Sequence, residues 1–189
     1  RLAVNGWHLK EGHELSKDME DYLFTNLLDM QCGSFMAQTS DELCSRKGVK
    51  RQDADAFAVI SHTRTASSID SGLFDEEIVS VETPDGIVGP KDEDHVVRGT
   101  NEESLSGLRA AFGPDSLVTA GNASGVVDGA AALVIKSATQ AENDGDSPLA
   151  KIISWGIVGI EPAIMAYGPV PSSLKALKKA NLSVDDIDR

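Results

Sequence analysis

The sequence is poor in the residues that would tie it to a metal, a disulfide framework or a polyanion. It holds two cysteines, Cys32 and Cys44, and four histidines, and none of them falls at CxxC or HExxH spacing. Neither a metal site nor a disulfide scaffold therefore organises the chain. Basic residues are also scarce: 17 Lys and Arg stand against 30 Asp and Glu, for a net charge of −13. That balance opposes nonspecific binding to nucleic acid or to an anionic membrane. No apolar run reaches the roughly 18 residues of a membrane-spanning helix, and the first residues lack the basic-then-apolar order of a signal peptide. These absences give the expectation of a cytoplasmic protein. A mitochondrial or peroxisomal address stays open, because the sequence begins with Arg1 rather than Met.

What is present is one concentrated stretch, Val118 to Ile135, VTAGNASGVVDGAAALVI. Gly121, Gly125 and Gly129 recur among small residues, so the backbone bends freely and a large partner can approach it. Asp128-Gly129 marks a turn. From Ala130 to Ile135 the run is uninterrupted and apolar, which predicts a strand covered on both faces. A close-approach loop at the mouth of a buried strand is where α/β folds place ligands.

Around this stretch the chain alternates helical and extended patterns. At 189 residues and 41% hydrophobic, it has the length of one or two domains. Ser16 can cap a helix through Met19, Leu23, Leu27 and Leu28, with Asp18 and Glu20 in its first turn. Thr39 with Glu42 predicts a capping box opening a short helix that stops at Gly48. From Arg51 to Ser71, Ala54, Phe57, Ala58, Ser61, Thr65 and Ile69 share one face of a helix ended by Gly72, which leaves His62 and Arg64 toward its polar side. Ile78 to Val81 reads as a strand, with a Pro84-Asp85-Gly86 turn into another. Gly89 to Thr100 reads as an exposed loop, and Glu102 to Phe112 as a helix with Leu105, Leu108 and Phe112 on one face. Ala138 to Asp144 is a further helix, and Asp146-Ser147-Pro148 a boundary. Ala150 to Val158 reads as a strand. Pro169 and Pro171 then open a helix facing a core through Leu174, Leu177 and Ala180, with Lys175, Lys178 and Lys179 in solvent. Cys44 reads as a small helical core residue, and Cys32, in Gln31-Cys32-Gly33-Ser34, is not assigned catalysis.

Several of these segments together resemble the thiolases, most closely the acetyl-CoA acetyltransferases. Val118 to Leu133 is similar to the family segment VTAGNASGxxDGAAAL. Met36 to Arg64, MAQTSDELCSRKGVKRQDADAFAVISHTR, is similar to MGxTAENxA…GxSREEQDAFALxSHxR, and SGLFDEEIVSV follows from Ser71. PLAKIISWGIVGIEPAIMAYGPVPSSLKALKKANLSVDDID resembles the opening of the family's second half. The resemblance implies an α/β fold with layered α-β-α-β-α order. It divides the chain into a loop domain over residues 1–117, the last strand and helix of the first thiolase half over 118–146, and the start of the second half over 147–189.

The same resemblance implies a coenzyme A site. Ser124 stands at the serine of the NASG segment, with Ala120, Ala123 and Gly125 giving close approach to the pantetheine arm. Met36 and Phe112 stand at apolar positions lining the coenzyme. Counting back from Phe112 without a gap puts Val97 at the arginine of a VRPxT-like stretch and Arg98 beside it, which makes Arg98 the candidate phosphate contact. Met165 stands where a family methionine faces the reactive centre. The acyl-accepting cysteine, the NEAF asparagine, the GHP histidine and the CxGGG cysteine have no counterpart in these 189 residues, so no catalytic residue is assigned here. Phe35, Ala37 and Ala166 depart from the family's usual His, Gly and Gly, which points to altered acyl specificity or relaxed constraint.

The expectation is therefore an internal fragment or truncated relative of an acetyl-CoA C-acetyltransferase. Such an enzyme makes or cleaves acetoacetyl-CoA through a cysteine acyl-enzyme, with a coenzyme A thioester as substrate, no bound cofactor or metal, and a homo-oligomer, tetramer or dimer, as assembly. The alternative is a catalytically inactive thiolase-like protein that binds an acyl-CoA or a full-length thiolase.

Overall fold

The computed structural model describes residues 22–92, 96–125, 127 and 129–188. The chain divides after Gly125 into two compact units, and each is built from its own local logic. The helix expected from Ser16 falls mostly outside the described residues; its visible part is α1, Tyr22–Leu27.

In the first unit, β1 (Leu28–Asp29) and β2 (Ser34–Phe35) form a minimal antiparallel pair. The reversal is held by the Asp29 carboxylate, which accepts the N–H groups of Gln31 and Cys32 at 2.7 and 3.2 Å. Gly33 completes it at φ 65°, a conformation that suits glycine. α2 (Met36–Lys47) starts directly after β2, four residues earlier than the Thr39 box predicts. Gln38 is the reason: its side chain reaches back to accept the Phe35 N–H at 2.9 Å, satisfying one of the open donors at the helix start. Thr39 instead lies within the helix, 2% exposed, its hydroxyl donating to the Met36 carbonyl at 2.7 Å. Gly48 ends α2 in the left-handed region as expected.

α3 runs Arg51–Asp70, close to the expected span, and Asp53 accepts the Lys50 N–H at its start. Its packed face differs from the apolar reading. Asp55, Ala58 and Ile69 are buried while Phe57 is 71% exposed. The stripe runs through 55, 58, 62, 65 and 69, rotated from the predicted one because a buried carboxylate, invisible to a hydrophobic count, holds its first position. His62 therefore sits half-buried on the packed side, and its Nδ1 accepts the Val97 N–H at 3.4 Å.

β3 (Val81–Thr83) and β4 (Gly86–Val88) make a hairpin across Pro84-Asp85, pairing Val81 with Val88. The first strand begins where the sequence reading ended it. The loop that follows includes residues 93–95, which lie outside the described set. α4 (Glu102–Ser106) is capped by Asn101, whose side chain accepts the Ser104 N–H at 2.9 Å. It covers only the first part of the expected helix to Phe112. Past Gly107 the chain opens so that Ala110 can bridge Thr119, with the Ala111 N–H on the Val118 carbonyl at 2.9 Å. Backbone pairing to a distant segment has replaced local helix hydrogen bonds there.

In the second unit, α5 (Ala138–Asp144) occupies its expected span, capped by Ser137 and closed by Gly145 at φ 71°. Lys136 ties its end, pairing with Asp144 at 2.8 Å and with Asp146. The two expected strands do not form. Residues 129–137 and 151–160 carry no strand, and Leu133, Val134, Ile152, Ile153 and Trp155 are between 64% and 90% exposed. A strand needs a neighbouring strand to bond its N–H and C=O groups, and among the described residues no strand pairs with either segment. A short 3-10 turn (Pro162–Tyr167) leads into α6 (Pro169–Ala180). α6 turns Ser172, Ala176, Leu177 and Ala180 inward, whereas Leu174 is 54% exposed. Its lysines are more than a solvated face. Lys175 and Lys179 donate to the carbonyls of Ile157 and Trp155 at 2.7 and 2.9 Å, and Lys179 lies 5.1 Å over the Trp155 ring. They satisfy alternate carbonyls along one edge of the extended segment. No helix among the described residues is long and apolar enough to cross a membrane.

Candidate functional site

The glycine-rich stretch is anchored through its first half. Leu117 donates its N–H to the Asp41 carboxylate of α2 at 2.9 Å. Thr119, fully buried, folds the chain over itself: its hydroxyl accepts the Gly121 N–H, and its carbonyl accepts those of Asn122 and Ala123. Asn122 uses both ends of its carboxamide. The oxygen accepts the Thr119 N–H at 2.8 Å, and the nitrogen donates to the Leu117 carbonyl at 2.8 Å and to Asp55 at 2.9 Å. The other oxygen of Asp55 accepts from Arg51 Nε at 2.8 Å, and Arg51 Nη2 reaches the carbonyls of Leu105 and Leu108. Gly121 sits against those same leucines, so close that a Cβ would meet Leu105 and Leu108 methyls at 2.5 and 2.6 Å. A larger residue here would make those leucine side chains shift.

This arrangement leaves Ala120, Ala123, Ser124 and Gly125 exposed together. The structure thus groups four of the sequence-derived candidates on one loop. Phe112 is half-buried on the arm that pairs with the loop's entry, and its ring packs against Phe35, centroids 6.3 Å apart and tilted 43°. Met36, the next residue, is 44% exposed at the start of α2. Arg98 is engaged elsewhere, paired with Asp70 at the end of α3 at 2.9 Å. Met165 belongs to the 3-10 turn of the second unit and is 38% exposed.

An open depression of about 440 Å³ lies between α2 and the 112–116 arm, lined by Gln38, Asp41, Glu42, Phe112 and Asp115 among others. Three carboxylates with no cation along its wall oppose a phosphate. Among the described residues no group of three or more His, Cys, Asp or Glu could hold a metal ion. Cys32 and Cys44 are free thiols, both half-buried. Burial pushes the Cys44 thiol above its ordinary value, and nearby Asp41 adds to the shift, so the environment favours an inert thiol.

Sequence reasoning missed Arg51, Asp55, Thr119, Asn122 and Asp41. One signal was available: Arg51 and Asp55 are four apart on a helix, the spacing of an ion pair.

The comparisons with known proteins agree with one another. The model of the thiolase N-terminal domain matches residues 6–139, and that of the thiolase C-terminal domain matches 146–189. The acetyl-CoA acetyltransferase of Syntrophomonas wolfei is 38% identical over 90% of this chain and 43% of its own length. The 3-ketoacyl-CoA thiolase of Erwinia tasmaniensis is 44% identical over 83% of this chain and 42% of its own. Human mitochondrial 3-ketoacyl-CoA thiolase in complex with CoA superposes with a TM-score of 0.82 at 34% identity, over 98% of this chain and 46% of that one. The chain spans about half the length of the curated relatives it matches. Its α/β architecture is the thiolase fold, and the chain belongs to the thiolase family.

Proposed function

We propose that this chain is part of an acetyl-CoA C-acetyltransferase and forms the wall of its coenzyme A site. The observation that carries the reading is the loop of a thiolase-family chain, pinned from below through Asn122 while Ala120, Ala123, Ser124 and Gly125 stay exposed. Small residues let a pantetheine arm lie close to the backbone, and the Ser124 hydroxyl can hydrogen-bond its amides. Met36 and Phe112 supply apolar surface near the arm. Arg98 would meet the coenzyme's phosphates after exchanging its Asp70 partner, an exposed ion pair of small net strength.

In the proposed reaction a cysteine thiolate attacks the carbonyl of acetyl-CoA and expels the coenzyme thiolate. A second cysteine takes the α-proton of another acetyl-CoA. The carbanion then attacks the acyl-cysteine, forming the carbon–carbon bond of acetoacetyl-CoA and returning the first thiolate. By the family resemblance these thiols lie outside this chain. It supplies a loop domain over 1–117, the end of the first thiolase half and the start of the second. The assembly would be a homo-oligomer.

The test uses the protein at its natural length, supplied with acetoacetyl-CoA and free coenzyme A, with acetyl-CoA read by chromatography. Acetyl-CoA formation supports the reading. Tight binding of acyl-CoA without turnover replaces it with a non-catalytic binding protein, and neither binding nor turnover overturns both.

A further inference from the structure

The carboxylate of Asp55 is 3% exposed, and neither the proposed chemistry nor the coenzyme wall touches it. A buried carboxylate is costly unless donors converge on it. Two do, one on each oxygen: Arg51 Nε at 2.8 Å and Asn122 Nδ2 at 2.9 Å. Each donor is also bonded elsewhere. Arg51 holds the carbonyls of Leu105 and Leu108, whose side chains Gly121 packs against, and Asn122 holds Leu117 and Thr119 at the root of the loop. Asp55 is thus the point at which α3, α4 and the glycine-rich loop are joined. An apolar residue would fill the same space on α3 but would leave the half-buried Arg51 Nε without its acceptor and remove one of the two acceptors of the Asn122 nitrogen.

We propose that Asp55 is a positioning residue for coenzyme binding, acting through Asn122 to fix the backbone that presents Ala123, Ser124 and Gly125. The inference rests on the coenzyme-binding reading of that loop. The hydrogen bonds of Thr119 and Asn122 fix the loop immediately before Ser124. A rotation of Asn122 therefore moves the following residues directly, and misplacing a binding surface by a small amount weakens every contact it makes.

The experiment compares the wild-type protein at its natural length with Asp55→Ala, measuring coenzyme A affinity by calorimetry and amide hydrogen exchange at 119–125, with a thermal melt of each. We expect about tenfold weaker affinity in Asp55→Ala, the size of one lost charge-assisted hydrogen bond, with faster exchange concentrated in the loop. Asn122→Asp, which sets two carboxylates against each other, should weaken binding as well. Adding Asp55→Asn to it removes the clash of carboxylates and restores a donor facing an acceptor, so it should recover part of the lost affinity, the bond from residue 122 to the Leu117 carbonyl staying absent. A merely structural role would lower melting and loosen α2 and α3 as much as the loop. Unchanged affinity in Asp55→Ala, or exchange that rises in α2 and α3 as much as in the loop, overturns the positioning role while the wild type still binds. A wild-type protein that takes up no coenzyme A overturns the functional reading, and the positioning role with it.

Discussion

The Asp41 carboxylate of α2 accepts the backbone N–H of Leu117 at 2.9 Å, across 76 residues of chain. It is a single bond between a helix side chain and the strand-like arm that leads into the loop, in a partly buried setting. Asp41→Ala leaves that N–H without its partner, and we expect a loss of about 1–3 kcal/mol in denaturant unfolding of the protein at its natural length. Asp41→Asn keeps an acceptor oxygen in place and should cost less than half as much. Equal losses in the two variants would show that charge, rather than the hydrogen bond, carries the contact.

The same carboxylate bears on Cys44. Burial first, and Asp41 second, raise the thiol's pKa, so the folded state favours the protonated form. This contribution to stability is full below the ordinary thiol range and is lost as pH rises through the raised value. Alkylation of Cys44 should be slow at neutral pH and should accelerate only in alkaline buffer, followed residue by residue by mass spectrometry. Asp41→Asn removes the second cause and should shift the rate profile to lower pH. An unshifted profile would leave burial as the whole cause.

Arg98 and Asp70 form an ion pair with side chains 53% and 65% exposed. Arg98→Ala should therefore change stability by no more than about 0.5 kcal/mol, as exposed pairs do. If its guanidinium serves the coenzyme's phosphates, the same variant should weaken coenzyme A binding several-fold and flatten its salt dependence. Unchanged affinity and salt dependence would remove Arg98 from the site.

Gly121 and Gly156 are both crowded, by different neighbours. A Cβ at Gly121 meets the ends of two leucine side chains, whereas one at Gly156 meets the Ser172 carbonyl, with the Ala176 nitrogen at 3.1 Å. Side chains can turn aside, but helix backbone cannot. Gly121→Ala should cost about 1–3 kcal/mol, as overpacking does, and Gly156→Ala more, by displacing α6. The ranking can be read from denaturation midpoints; the reverse order would mean that α6 shifts more easily than the leucines.

How far the chain was legible follows from where each signal lives. α5 was read to the residue, because Ser137 and Gly145 cap it locally. α3 was found at nearly its full span, yet its face was misread, since Asp55 is buried and Phe57 is not. α2 was entered late because Thr39 resembles a cap, while the bond that opens the helix comes from Gln38. The candidate loop was located by its small residues, and Ser124 with its neighbours does stand exposed there. Asp41, Arg51, Asp55 and Asn122, which hold the loop, were not found, because each makes a bond far away in sequence.

By itself the sequence determined the family and the loop, through motif spacing and local helix caps that operate within a few residues. Tertiary structure alone decided that Asp55 meets Asn122 across 67 residues, that His62 turns inward, and that Lys175 and Lys179 close carbonyls of the segment beside them. The physical reason is that a hydrophobic period records which side of an element prefers to leave water. It carries no record of which distant donor will satisfy a buried acceptor, and that pairing exists only once the chain has folded.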